Sequence, residues 1–79
     1  MSEREATRDL ALERLTWMHT VAKLTLTEIA ERLDTTPSVV SRWYNHQRSG
    51  VRPSYSTSKR ILRLAEAVAA ANPKPRLAA

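Results

Sequence analysis

Apolar residues fall at helical spacing in four segments of the chain, and polar stretches with turn signals separate them. In the first segment, Ser2 to about Ala22, Leu15, Met18 and Ala22 share one face and Leu12 lies near it. Trp17 and Val21 occupy a neighbouring strip at i, i+4 and are expected to cover the second or fourth helix. The second segment places Leu26, Ile29, Ala30 and Leu33 on one side; the third turns Val40 and Trp43 inward. The last, about Ser56 to Ala71, carries Ile61, Leu64, Ala65 and Val68 at i, i+3, i+4, i+7, with Leu62 and Ala69 off that stripe as candidates for a two-fold contact. The pattern predicts an all-α chain, a compact bundle of four to five helices. The expected core is Leu15, Met18, Ile29, Ala30, Leu33, Val40, Trp43, Ile61, Leu64 and Val68.

The helix starts are marked independently of the apolar pattern. Ser2 and Glu5 stand in capping-box register, and Glu3, Glu5 and Asp9 sit in the first turns, where the helix dipole favours acids. Thr25 is an N-cap with Glu28 three residues on, a second capping box, and Leu24 with Ile29 adds a hydrophobic staple. Thr36 caps the next helix, and Pro37 falls at its first position, where a missing N–H costs nothing. Asp34 and Thr35 alone separate Leu33 from Thr36, so the two helices turn sharply and the small Ala30 lets them cross closely. Asp34 tolerates the left-handed backbone such a turn needs. His46 to Ser54, with the chain's one glycine, Gly50, and Pro53, reads as a loop. Asn72 before Pro73 is a helix stop, and 72–79 reads as a disordered basic tail outside a single domain spanning 1–71.

Charge sharpens this picture. Residues 1–34 hold five basic and seven acidic side chains, a net of −2, whereas residues 35–79 hold eight basic and one acidic, a net of +7. Nothing acidic occurs from Thr35 to Ala65, the window that holds Arg42, Arg48, Arg52, Lys59, Arg60 and Arg63. Such a half attracts a polyanion. A chain of 79 residues builds a marginal core, so association with a second copy would help it. The absence of Cys removes disulfides, thiol nucleophiles and Cys-based zinc sites, and suits a reducing cytoplasm. No apolar run approaches the roughly 18 residues of a membrane span, and no signal-peptide core is present. Two His, no Gly-rich phosphate loop and no pair of carboxylates in a pocket-forming context argue against an enzyme.

Leu24, Thr25, Glu28, Ile29 and Ala30, followed by Thr36, Val40, Ser41 and Trp43, resemble the helix-turn-helix of phage repressors and Cro proteins. That family pattern is L-T-x-x-E-[LI]-A, a turn, and S-x-x-x-[VI]-S-x-W. The likeness covers about twenty residues closely and reaches more loosely to Val68. This chain departs from it at the turn, where Asp34 replaces the usual glycine and Thr35 an apolar residue, and at Leu26, often polar. The resemblance implies a lambda-repressor-like fold and binding to double-stranded DNA. It puts the base-reading positions on Pro37, Ser38, Ser41 and Arg42, of which Ser38, Ser41 and Arg42 also point away from the Val40 and Trp43 stripe.

From the residues themselves, Thr25 and Thr36 with the free amides behind them suit backbone phosphates, and Asn45, Gln47, Arg48 and Arg52 suit phosphates on the other side. Tyr44 has two readings, a phenol reaching a phosphate or an exposed aromatic beside the core. His46 reads as a loop residue. The expected partner is a palindromic operator, bound by a homodimer whose last helix is the first choice of pairing surface. No metal, cofactor, small-molecule ligand or membrane is expected. The setting is the cytoplasm, associated with the nucleoid of a bacterium or phage-infected host, and the expected role is a small Cro-like repressor of transcription. The competing reading is an antitoxin, or a phage or plasmid accessory factor in recombination or partition, using the same fold on a protein or on DNA.

Overall fold

A computed structural model describes residues 2–71, and among them there are five helices and no strand. They are α1 (Glu3–Thr20), α2 (Leu26–Arg32), α3 (Pro37–Tyr44), α4 (His46–Ser49) and α5 (Tyr55–Ala71). The fold is an all-helical bundle, as the apolar pattern predicts. The expected stop at Asn72 and the expected tail over 72–79 lie outside the described residues.

Ser2, Thr25 and Thr36 cap their helices as the sequence places them, but the box expected at Ser2 and Glu5 forms only its first bond, and α5 starts at Tyr55 on a Ser54 cap. Glu5 N–H donates to Ser2 Oγ at 3.2 Å to open α1. At α2 the capping box is complete, with Glu28 N–H donating to Thr25 Oγ1 and Thr25 N–H to Glu28 Oε1, each at 3.0 Å. Thr36 Oγ1 accepts from Val39 N–H at a longer 3.4 Å, and Ser54 Oγ accepts from Thr57 N–H at 3.2 Å to start α5. Between α2 and α3, Asp34 adopts φ 57°. Thr35 N–H donates to Ala30 O at 2.9 Å and Asp34 N–H to Glu31 O at 3.2 Å, the two crossed bonds of a Schellman ending. Asp34 therefore occupies the left-handed position that usually takes glycine. Leu33 and Ala30 bury behind it, and α2 and α3 form a helix-turn-helix pair.

The core joins α1 and α5 to that pair. Leu15, Met18, Ile29, Ala30, Leu33, Val40, Trp43, Ile61 and Val68 are buried as expected, and Ala11, Leu12 and Ala65 join them. Leu64 departs from expectation, for it is half-buried and packs on the rim. The buried stripe of α5 runs instead through Ser58, Ile61, Ala65 and Val68. The small Ser58 and Ala65 let α1 approach along that line, which rotates Leu64 outward. Trp17 packs against the core's edge, but Val21 is 46% exposed, because α1 ends at Thr20 and the chain turns away through Lys23 at φ 64°.

The stretch expected as a loop contains α4. Arg48 N–H and Ser49 N–H both donate to Asn45 O, and Gly50 at φ 70° caps the turn with its N–H on His46 O at 2.8 Å. Ser49 Oγ–H donates to Arg42 O at 2.7 Å, which folds α4 back onto the end of α3. The rest of the connection is fastened to α1. Arg8 Nε–H donates to Pro53 O at 2.8 Å, and an Arg52 guanidinium nitrogen lies 3.3 Å from Asp9 Oδ1. Pro53 is buried by that arrangement.

Candidate nucleic-acid interface

The face of α3 follows from its inward stripe. With Val40 and Trp43 in the core, Pro37, Ser38 and Arg42 are exposed and Ser41 is half-exposed. Arg42 has no acidic partner among the described residues, so its guanidinium faces solvent with its donors free of carboxylates. Asn45 lies one turn beyond Ser41. Its side-chain amide donates to Ser41 O at 2.9 Å and approaches Ser41 Oγ at 3.5 Å, which fixes both side chains at the end of the helix.

Beyond α3, the exposed Gln47 and Arg48 stand on α4, and with Asn45 and Tyr44 they line one cleft of about 300 Å³. The Ser49 bond to the Arg42 carbonyl holds this group to the arginine-bearing end of α3. Thus Ser38, Ser41, Arg42, Asn45, Gln47 and Arg48 belong to one continuous α3–α4 unit. His46 lies in that short helix rather than in a loop, with Nδ1–H donating to Trp43 O at 3.2 Å. Tyr44 is half-buried, its ring edge-on to His19 at 4.9 Å between centroids. His19 Nδ1–H in turn donates to Leu24 O at 2.8 Å. The ring packs beside the core, half-buried where the second reading had it exposed, and Tyr44 also lines the cleft that holds Arg48.

Two expected phosphate positions stand beside a carboxylate. Thr25 N–H is taken by Glu28, and the bonds from Thr25 hold the Glu28 carboxyl below the usual glutamate range, so α2 begins with a fixed negative charge. Arg52 faces Asp9 instead of standing alone. Sequence reasoning missed Arg8, Asp9 and His19, which come together with residues more than an α-helical turn away in the chain; no local pattern marks such pairs.

The acid-free window also divides. Arg42 and Arg48 stay with α3 and α4, while Arg60 and Arg63 join Arg32 around a separate groove of about 320 Å³ between α2 and α5. Lys59 stands over the Tyr55 ring at 5.3 Å, with Arg4 at the same distance. No helix among the described residues is long and apolar enough to cross a membrane. No protein-family model, curated protein or solved structure matches the chain.

Proposed function

We propose that the protein is a sequence-specific double-stranded DNA-binding regulator of transcription, a small Cro-like repressor that occupies an inverted repeat as a homodimer. The observation that carries this reading is the outward face of α3. A helix capped by Thr36 turns Val40 and Trp43 inward and offers Pro37, Ser38, Ser41 and an unpaired Arg42, in a stretch from Thr35 to Ala65 that has no acidic side chain.

A major groove admits an α-helix and shows a different pattern of donors and acceptors for each base pair. Laid in that groove, Arg42 donates two hydrogen bonds to guanine O6 and N7, worth about 1–3 kcal/mol of discrimination. Ser38 and Ser41 donate or accept beside it, and the Pro37 ring offers an apolar face to a thymine methyl. The amides behind Thr36 meet a phosphate, and Asn45, Gln47 and Arg48 hold the backbone beyond. Such contacts set register without reading sequence. Thr25 and Arg52 carry less of this work, since Glu28 and Asp9 already engage them. One module spans few base pairs, so two copies with reading helices about 34 Å apart supply the affinity. Repression then follows from occupancy that excludes polymerase, in the cytoplasm and on the nucleoid.

Selection of bound sequences from a random duplex library tests this reading. An inverted repeat should emerge, and Arg42→Ala should weaken binding to it far more than binding to random duplex. No preference for any duplex at moderate ionic strength refutes the function, and an equal loss on both kinds of DNA refutes base reading by Arg42.

A further inference from the structure

The last turn of α3 presents three consecutive carbonyls, and side chains from the segment that follows take all of them. Ser41 O accepts from Asn45 Nδ2–H at 2.9 Å, Arg42 O from Ser49 Oγ–H at 2.7 Å and Trp43 O from His46 Nδ1–H at 3.2 Å. The ends of helices leave such carbonyls without intrahelical donors. The bonds from Asn45 and His46 reach back only four and three positions, so they close the local turn. The Ser49 bond reaches back seven. Ser49 Oγ also accepts from Val51 N–H at 3.2 Å, so one hydroxyl joins the end of α3 to the exit of α4.

The direction of α4 depends on that hydroxyl because little else sets it. The helix is a single turn with no buried residue and no side-chain bond at its N-cap. An open cleft of about 510 Å³ lies between its His46 and Gln47 and the α1 residues Asp9, Glu13 and Thr16, so α1 does not pin it from that side. Yet α4 carries Gln47 and Arg48, and α3 carries Arg42. Phosphate contacts fix register, whereas a two-bond contact to guanine demands placement within about 0.5 Å. We propose that Ser49 is a positioning residue for recognition by Arg42: its hydroxyl holds the angle between α3 and α4, so that a phosphate grip by Gln47 and Arg48 sets the Arg42 guanidinium against its base. This role rests on the DNA reading and adds to it a residue that acts through others.

Two measurements on the full chain test it, with wild type, Ser49→Ala and Ser49→Thr. Without DNA, amide hydrogen exchange at Val51 should quicken about fivefold in Ser49→Ala, with the amides of α1 and α5 unchanged, and Ser49→Thr should exchange as wild type. With the duplex that wild type selects, Ser49→Ala should bind about five- to tenfold more weakly, the scale of one lost hydrogen bond. Its affinity for random duplex and its salt slope should stay those of wild type, and Ser49→Thr should restore cognate affinity. In an Arg42→Ala background, Ser49→Ala should cost no further discrimination, since the two act as one unit. Unchanged exchange at Val51 overturns the tie itself. Equal losses on cognate and random duplex make Ser49 an ordinary backbone contact, and additive losses with Arg42→Ala separate the two residues; either result overturns the proposal. A wild type that prefers no duplex refutes the DNA reading and this role with it, and faster exchange in Ser49→Ala then distinguishes that failure from loss of the tie.

Discussion

Replacing Ser58 with alanine should make this protein more stable, although the side chain is fully buried. Ser58 faces the core between α5 and α1, and among the described residues its Oγ has no hydrogen-bond partner. Other helical hydroxyls here do bond, for Thr16 donates to Leu12 O at 3.0 Å and Thr20 to Thr16 O at 2.7 Å. A buried hydroxyl without a partner costs about 1–3 kcal/mol, and alanine is the better helix former by about half a kcal/mol. Against this stands the lost packing of one oxygen, a few contacts of about 0.1–0.2 kcal/mol each. The balance is a gain of about 1–3 kcal/mol, and for a domain this small each kcal/mol raises the melting temperature by about 4–8 °C. Thermal and urea denaturation of wild type and Ser58→Ala, followed by far-ultraviolet circular dichroism at one protein concentration, measure it. An unchanged or lower stability would mean that the hydroxyl bonds to the Ser54 carbonyl, which already accepts from Ser58 N–H at 2.8 Å, and the reasoning would fall.

Four further outcomes are expected. Thr25→Ala should cost about 1–2 kcal/mol and Thr36→Ala less, because the first loses a complete capping box and the second one long bond of 3.4 Å; equal losses in denaturant melts would contradict this. The Glu28 carboxyl is held below its ordinary range by its bonds with Thr25, so its contribution is present above the unfolded value and disappears as pH falls through the folded one. The stability gap between wild type and Glu28→Gln should therefore shrink only in acid, and a gap independent of pH argues otherwise. Trp43→Ala should cost about 3–5 kcal/mol and largely unfold the chain, whereas retention of full helicity would put the wrong face of α3 inward. Arg48→Ala should make the slope of log affinity against log salt shallower by about one unit; Arg52→Ala should do less because Asp9 already offsets its charge, and the reverse order would refute that pairing in solution.

Helix positions and the inward face of α3 were legible because their causes are local. A Thr three residues before a Glu, a proline after a Thr and a stripe at i, i+3, i+4 all act within two turns. What lies outside that range was not legible. The pairing of Arg8 with Pro53 spans 45 positions, and nothing in either segment marks the other. The helix α4 has no apolar period, and its single turn is held by a serine bonding back to Arg42 O. Ala11 and Ser58 are buried for being small where two helices approach, a property of the crossing rather than of either stripe. The outward face of α3 is thus readable from sequence, but the carboxylates that engage Thr25 and Arg52 differ in kind: the first sits three residues away, the second belongs to another helix.

The two ties from α1 to the segment after α4 give the amino-terminal end a second duty. Arg8 and Asp9 hold a carbonyl and a guanidinium that come more than forty positions later, so the first helix braces the far connector as well as roofing the core. A chain shortened past Asp9 would lose that brace and leave Arg52 without its counter-charge, altering the basic end of the molecule through a cut made at the opposite end of the sequence.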